Sequence, residues 1–255
     1  MLNKQAMENI RTLTQEYWDK RVQEEDFIKL AAAKKEFGHA AANLVDGETT
    51  DHLSKSYEVY LQHGKDKTAS VRSMGDMWIK DADIFHPINI KTGKINIKTG
   101  KASIKTERIK RGRPNMTAMV KLLTALLSDQ IDSYYLLIIK FTIPESTPIA
   151  PEVYFVDMLD HLKHMAFDAG PGQIMMKEKE FYEALDEAAV QGSIPAPISV
   201  EEKIVTLLKM YPDGVARLKQ NRDDTLADLK SKNNSYKRLS SHPLNQSQLR
   251  LRRKI

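Results

Sequence analysis

The chain has 255 residues, of which 41% are hydrophobic, enough for one large domain or one domain with a helical extension. It has no cysteine, which excludes disulfides and thiolate metal sites. The net charge of +5 is a weak indication of a polyanionic partner. No apolar run reaches the length of a membrane span and the N-terminus lacks a secretory pattern, so we expect a cytoplasmic protein without membrane contact.

Helical periodicity dominates the first part of the chain. From residue 3 to about residue 45, apolar side chains recur at helical spacing, and neither proline nor glycine occurs before Gly38. A turn and a short second helix ending near Gly64 are expected next. The sequence therefore predicts an N-terminal helical region over residues 1–72.

From about residue 74 the pattern changes to β-favouring residues. MGDMWIKDADIFHPINIKTG predicts two antiparallel strands joined by a polar turn. Pro114 suits the first turn of a helix with a buried leucine-rich face. SYYLLIIKFTI predicts a central strand covered on both sides, and PEVYFVDML predicts another strand. This order predicts an α/β (α+β) fold with a central mixed sheet flanked by helices, over a core at residues 73–192.

The last third of the chain alternates between short elements and a long helical segment. MLDHLKHMAFDAG is expected to form a short helix or turn, GPGQIMMK a strand, and KEFYEALDEAA a helix. Ser199 and Glu202 form a capping box that opens a helical segment, expected to break around Pro212. This C-terminal helical region, residues 193–255, ends in a basic tail, and we expect all three regions to pack as one compact domain.

The seven residues INIKTGK occur twice in succession, at 88–94 and 95–101. Side chains alternate faces along a strand, so Lys91 and Lys98 would point to opposite sides of one unbroken strand. Both copies therefore cannot serve the same site, and the Thr-Gly pairs offer places to turn. Basic residues continue to Arg113 with Glu107 as the one acid between, which indicates contact with phosphate.

The two predicted strands could carry phosphodiester hydrolysis. That reaction needs a metal that neutralises charge and lowers the pKa of the attacking water, and often a lysine beside the reacting oxygens. Asp76 begins the first strand, and Asn89 and Lys91 share one face of the second. Antiparallel pairing after one short turn would bring these three side chains together, so the first copy of INIKTGK is expected to hold the active lysine.

This stretch resembles the PD-(D/E)xK nuclease motif, and residues 75–141 look like a type II restriction endonuclease. The similar segments are Gly75-Asp76, Pro87-Ile-Asn-Ile-Lys91, the basic run ending in Gly112-Arg-Pro-Asn115, the strand SYYLLIIKF, and GPGQIMM at residues 170–176. The resemblance implies a restriction-endonuclease-like fold and a magnesium-dependent homodimer that cleaves double-stranded DNA. Asn89 departs from the motif, which has an acid there, because an amide oxygen binds a cation without supplying charge.

The resemblance also assigns roles to residues. Asp76, Asn89 and Lys91 would be catalytic, with Asp76, Asn89 and the carbonyl of Ile90 binding Mg²⁺. Lys91 would orient or deprotonate the attacking water or stabilise the developing charge. Such folds often add an upstream helical glutamate, for which three residues qualify: Glu36, Glu48 and Glu58.

DNA contacts are expected from a larger basic and polar set: Lys98, Lys101, Arg111, Arg113, Asn115, Gln173 and Lys177. The second copy of the repeat is expected to form a return strand or basic flap that brings lysines to phosphate. The residues at 111–115 would precede a helix start, and those at 173 and 177 flank a glycine-rich turn. Arginine and lysine favour the edges of guanine, whereas asparagine and glutamine favour the edges of adenine. Two alternatives stay open, a non-catalytic DNA-binding protein and a structure-specific repair nuclease on the same fold.

Overall fold

The structure, a computed structural model, describes residues 1–32, 37–61, 74–81, 84–98, 101–103, 115–142, 149–191 and 197–240. Its helices are α1 (Lys4–Arg21), α2 (Glu25–Ala32), α3 (Phe37–Leu53), α4 (Met119–Leu127), a 3-10 helix (Met158–His164), α5 (Glu178–Gln191) and α6 (Val200–Ser240). None of the described helices is both long enough and apolar enough to cross a membrane.

Two sheets contain the described strands, which are β1 (Glu58–Leu61), β2 (Met77–Asp81), β3 (Ile84–Lys98), β4 (Lys101–Ser103), β5 (Asn115–Ala118), β6 (Tyr135–Thr142), β7 (Ala150–Asp157), β8 (Met165–Asp168) and β9 (Gln173–Met176). The larger sheet has six strands in the order β1-β2-β3-β6-β7, with β4 paired to the end of β3. Strands β3 and β6 run parallel and the other neighbours are antiparallel, so this sheet is mixed. The smaller sheet is antiparallel in the order β5-β9-β8. The predicted class, a mixed central sheet with flanking helices, is confirmed.

A separate apolar core covers each face of the large sheet. On one face, α1–α3 pack against alternate residues of β2, β3 and β6, and the rings of Trp18, Phe27 and Phe141 meet at centroid distances of 5.2–5.6 Å. On the other face lie α4, α5, the start of α6 and the small sheet. Seven consecutive residues of β6 are buried, as expected for a strand covered on both sides. Burying each large apolar side chain contributes about 1.5–3 kcal/mol.

Helix α6 is fixed to this core by one buried charge and one close backbone approach. The ammonium of Lys203, which is fully buried, lies 2.7 Å from Asp157 and 3.4 Å from Asp160. Farther along, Gly214 lies so close to β8 that an added Cβ would be 2.4 Å from the ring of Phe167. The guanidinium of Arg217 still donates to the carbonyl of Phe167, and every residue from 219 to 232 is exposed.

Several sequence-based boundaries were wrong. The first helical stretch divides into α1, α2 and α3, and the expected second helix is absent because residues up to Leu53 continue α3 and Glu58–Leu61 form β1. The tyrosine and β-branched valine of this segment pair with the outer edge of β2. Residues 165–168 form β8 where a short helix or turn was expected. The division of the chain into three regions at 72/73 and 192/193 stays a prediction.

The expected break at Pro212 was also wrong, since α6 continues through it. Proline removes one hydrogen bond of the helix, but burial of Leu207 before it and the packing of Gly214 after it hold both flanks in one helix. The capping interaction at its start is present, because the backbone N–H of Glu202 donates to the hydroxyl of Ser199 at 3.1 Å.

The first copy of INIKTGK and the first four residues of the second copy lie in one unbroken strand. β3 continues from Ile84 to Lys98, so the expected turn at Thr92-Gly93 is absent. After residues 99–100, which lie outside the described residues, β4 returns antiparallel with Lys101 paired to Lys98. Because β3 pairs with β6 only as far as Ile95, the end of β3 and β4 form a two-stranded arm past the last β3–β6 pair.

Candidate active site

Asp76 is held against the first copy of the repeat, where β2 begins. Its backbone N–H donates to the carbonyl of Ile88 at 2.8 Å, and its carboxylate accepts from the backbone N–H of Ile90 at 2.7 Å. β2 pairs with β3 only up to Met77 and Ile88, so the Asp76 carboxylate takes the place of the next β-ladder partner. The N–H and C=O of a strand residue point to the same side, which puts the carbonyl of Ile90 on the edge beside Asp76.

Asn89 is buried beside Asp76, and its amide has a fixed orientation. Its Nδ2 donates to the carbonyl of Met116 at 2.6 Å and to the hydroxyl of Tyr134 at 3.1 Å. A carbonyl can only accept, so the atom facing Met116 must be the nitrogen. The remaining atom, Oδ1, is buried and has no hydrogen-bond partner among the described residues. A buried amide oxygen left in this way is a suitable acceptor for a cation or a water molecule.

Tyr134 links Asn89 to the chain segment that precedes Asp76. Its hydroxyl donates to the carbonyl of Met74, just before Asp76, and accepts from Asn89. Burial raises the pKa of Tyr134, so the phenol stays protonated and keeps its donor at neutral pH. A single buried tyrosine therefore connects the chain before β2 with β3.

Lys91 is half-buried and carries its ammonium into the same region. Burial lowers the pKa of Lys91, while the nearby carboxylates of Asp76 and Asp46 raise it in opposition. Among the described residues, the Lys91 ammonium forms no direct ion pair with either carboxylate. The charges of Lys91, Asp76 and Asp46 therefore interact through space, without a direct salt bridge to Lys91.

Asp46, on α3, is the site residue that the sequence interpretation missed. Burial raises the pKa of Asp46 to about 7, repulsion from Asp76 adds to the rise, and Lys91 opposes it. The helix is held in place by Thr50, whose hydroxyl donates to the carbonyl of Asp46 at 2.7 Å and lies 3.6 Å from the sulfur of Met77. Asp46 borders the buried stripe of α3 at Ala41, Val45, Thr49 and Leu53, and that spacing was the available sequence signal.

Of the three glutamates that the sequence offered, the two that the structure describes, Glu48 and Glu58, have other partners. Glu48 binds the guanidinium of Arg21 at 2.9 Å and the hydroxyl of Tyr17 at 3.0 Å, so its charge is already neutralised. Glu58 is exposed on β1 at the sheet edge, with Lys80 3.6 Å away. Glu36 lies outside the described residues. Which upstream acid joins the site, if one does, stays a prediction, and Asp46 is the acid of α3 whose charge interacts with Asp76 and Lys91.

The oxygen atoms around Asp76 fit a hard divalent cation. The candidate oxygen ligands are the carboxylates of Asp46 and Asp76, the Oδ1 of Asn89, which has no hydrogen-bond partner among the described residues, and the carbonyl of Ile90. Within the described ranges, no group of three or more His, Cys, Asp or Glu side chains is placed to hold a metal. Mg²⁺ needs only one or two carboxylates, because it keeps several of its waters and uses substrate phosphate as a further ligand. The donor set therefore suits Mg²⁺ better than a cation that requires a closed protein cage.

The residues expected to contact DNA are distributed over two surfaces. The backbone at Lys98 lies beyond Lys91 at the end of β3, and the backbone at Lys101 pairs with it from β4 in the arm. Arg111 and Arg113 lie outside the described residues. Asn115 is exposed and adjoins Met116, the residue that holds Asn89, but it begins β5 rather than a helix, which corrects that expectation.

The other two DNA candidates lie at the two ends of β9, with Gln173 as its first residue and Lys177 directly after its last. Gln173 pairs with Ala118 at the far end of β5, three residues or roughly 10 Å from Asn115. The ammonium of Lys177 donates to the carbonyl of Lys163 at 3.3 Å and lies 3.6 Å from Glu180. Asn115 is therefore the DNA candidate nearest the Asp76 site among the side chains that the structure describes.

Comparison of the chain with protein-family models and with curated proteins finds no match.

Proposed function

We propose that the protein is a metal-dependent endonuclease that hydrolyses phosphodiester bonds in double-stranded DNA, of the type II restriction class and on a restriction-endonuclease-like fold. The observation that carries this proposal is the position of the Asp76 carboxylate, bound to the N–H of Ile90 between Asn89 and Lys91. An Asp beside one strand and an acid-x-Lys on the next is the arrangement of the PD-(D/E)xK motif, which the site resembles with Asn89 in place of the acid.

Each residue of the site has a distinct part in this reaction. Asp76 and Asp46 provide negative charge to hold Mg²⁺, with the Asn89 oxygen and the Ile90 carbonyl as neutral ligands. Bound there, Mg²⁺ would neutralise phosphate charge and lower the pKa of the attacking water. Burial lowers the pKa of Lys91, so its neutral amine would take a proton from the attacking water, whereas its ammonium form would stabilise the charge that develops on phosphate oxygen.

The DNA contacts follow from the direction of β3. This strand leads from the site directly into the arm formed with β4, so lysines of the second repeat would meet phosphates next to the scissile bond. Such contacts contribute to affinity in a salt-dependent way and carry no sequence information. Sequence would be read by residues such as Asn115, and a homodimer would read a two-fold symmetric site.

The test is incubation of the pure protein with phage DNA and magnesium. We expect discrete fragments, loss of cleavage in Asp76→Ala and Lys91→Ala with DNA binding retained in the lysine variant, and measurable cleavage in Lys98→Ala. Asp51→Ala, an exposed acid on α3, is the matched control and should cleave normally. Intact DNA with every divalent ion tried, on linear, branched and damaged substrates, would refute the proposal.

A non-catalytic DNA-binding protein is the second candidate, favoured by Asn89 at a position where the motif has an acid. It predicts salt-sensitive retention of DNA and no cleavage with any metal. Magnesium separates the two candidates without an activity assay, since only a metal site gives a rise in melting temperature that Asp76→Ala abolishes.

A further inference from the structure

One hydroxyl group joins the two chain segments that carry Asp76 and Asn89. The Tyr134 hydroxyl has a single proton, which it donates to the carbonyl of Met74, and its oxygen accepts from Nδ2 of Asn89 at 3.1 Å. The other N–H of that amide goes to the carbonyl of Met116 at 2.6 Å, which lies farther from the tyrosine hydroxyl, at 3.3 Å. Each hydrogen bond of this chain therefore has a fixed direction.

The segment that precedes β2 is also held against β3 from the other side of Gly75. The backbone N–H of Asp76 donates to the carbonyl of Ile88 at 2.8 Å, and a Cβ added to Gly75 would lie 2.6 Å from the same oxygen. A glycine in such a place allows two backbones to approach closely. Residues 74 and 76 are thus fixed on either side of Gly75, the first by the Tyr134 hydroxyl and the second by β3.

The neighbouring Tyr135 shows what a buried tyrosine hydroxyl does when it has only to satisfy itself. Both tyrosines are fully buried, on opposite faces of the large sheet, and the Tyr135 hydroxyl accepts from the backbone N–H of Leu2 at 2.7 Å. The Tyr134 hydroxyl instead contacts the amide of Asn89 and the chain two residues before Asp76. Because Nδ2 of Asn89 faces Tyr134, its Oδ1 is turned away, and that buried atom has no hydrogen-bond partner among the described residues.

We propose that Tyr134 is a positioning residue that fixes the spacing between the Asp76 carboxylate and Oδ1 of Asn89, and thereby makes the site selective for Mg²⁺ over Ca²⁺. This inference rests on the proposed function, in which these two oxygens bind the cation. Mg²⁺ requires near-ideal octahedral geometry with oxygens at about 2.0–2.1 Å, whereas Ca²⁺ accepts flexible arrangements at about 2.3–2.6 Å. Without the hydroxyl the two oxygens would move relative to each other, which weakens binding of the smaller cation most.

The test measures cation binding to the metal-free protein in the absence of DNA. The melting temperature is followed against the concentration of magnesium chloride and, separately, of calcium chloride, at constant ionic strength. Tyr134→Phe removes the hydroxyl and keeps the ring. It should weaken magnesium binding about 10–100-fold, as loss of an outer hydrogen bond to a metal ligand does, and calcium binding much less. The ratio of the two dissociation constants should therefore change about tenfold or more.

Tyr135→Phe is the matched control, since it removes the hydroxyl of an equally buried tyrosine next in the chain. Both variants should lose about 1–3 kcal/mol of stability without metal, because each leaves a buried group without its hydrogen bond. The preference for Mg²⁺ over Ca²⁺ should nevertheless stay unchanged in Tyr135→Phe. Equal loss of magnesium and calcium binding in Tyr134→Phe, no loss of either, or the same change of preference in Tyr135→Phe would overturn the proposal.

A second variant keeps the test independent of how well Tyr134→Phe folds. Gly75→Ala displaces residues 74–76 from β3 and should also reduce the preference for Mg²⁺, and an unchanged preference would contradict the proposal. Failure of the proposed function has a different result, in which neither cation raises the melting temperature of the parent protein or Asp76→Ala leaves the rise intact. The role of Tyr134 would then be overturned together with the metal site, whereas failure of that role alone leaves the parent and Asp76→Ala results as expected.

Discussion

Asp46 should reduce the stability of the metal-free protein, so replacing it should increase stability. Its pKa is raised from 3.8 to about 7, mainly by burial. Between these values the folded state holds a proton that the unfolded state has released, so stability falls as pH rises from about 4 to about 7 and stays low above that. Asp46→Asn removes this loss, and its advantage should grow across the same window.

The magnitude follows from the size of the shift. A change of one pKa unit corresponds to about 1.4 kcal/mol, so a shift of about three units would amount to about 4 kcal/mol for a group removed from water. Asp46 is only partly buried, and solvent screening reduces this to about 1–2 kcal/mol. For a chain of this size the melting temperature should rise by about 2–8 °C at alkaline pH.

The assay is thermal unfolding of the parent protein and Asp46→Asn at about pH 5, pH 7 and pH 8.5, with and without magnesium. Without metal, the variant should be more stable, and most so at the highest pH. With magnesium, the parent protein should gain stability and the variant should gain much less. Asp51→Asn, an exposed change on the same helix, should show neither effect. The reasoning is wrong if Asp46→Asn destabilises the metal-free protein or if its advantage does not change with pH.

Three further changes test the packing around the site by urea unfolding. Lys203→Met leaves a buried carboxylate without its partner and should cost about 3–5 kcal/mol; a cost below that of an ordinary surface change would show that the ion pair does not hold α6. Gly214→Ala should cost about 1–3 kcal/mol, because its Cβ would lie 2.4 Å from a ring carbon of Phe167 on β8. Gly47→Ala in α3 meets nothing within 4 Å and should stabilise the protein by about 0.5–1 kcal/mol. Equal effects of the two changes on the free energy of unfolding would contradict the close approach at Gly214. Asn89→Asp should destabilise the metal-free protein by about 1–3 kcal/mol at neutral pH, because a carboxylate would face the carbonyl of Met116; an unchanged unfolding midpoint would show that the amide donor is not needed.

The sequence predicted best those elements whose partner is close along the chain. The pairing of β2 and β3 needs one short turn, so alternation and a polar break were enough to put Asp76 beside Asn89. β6 was recognisable because an apolar run buried on both faces needs no particular neighbour. In both cases local pattern and tertiary environment agree.

The errors occurred where a distant partner decided the outcome. Residues 58–61 are a strand because β2 offers them an open edge, and α6 passes through Pro212 because the core holds the helix on both sides of it. Asp46 could not be separated from other acids of the helical region, since its role depends on which part of α3 lies against β3. Only packing determines that contact.

The position of Asp46 bears directly on the departure of Asn89 from the nuclease motif. A carboxylate at position 89 would meet the carbonyl of Met116, whereas the amide donates to it and to Tyr134. The strand therefore favours a neutral side chain. On the proposed function, this removes one negative charge from the metal site, and Asp46 would restore it from α3, since Asp46 and Asp76 both interact electrostatically with Lys91. On the proposed function, Asp46→Asn should then abolish cleavage as completely as Asp76→Ala, although it makes the metal-free protein more stable. A variant that is stabilised and still cleaves at the parent rate would remove Asp46 from the mechanism and leave Asp76 as the single charged ligand.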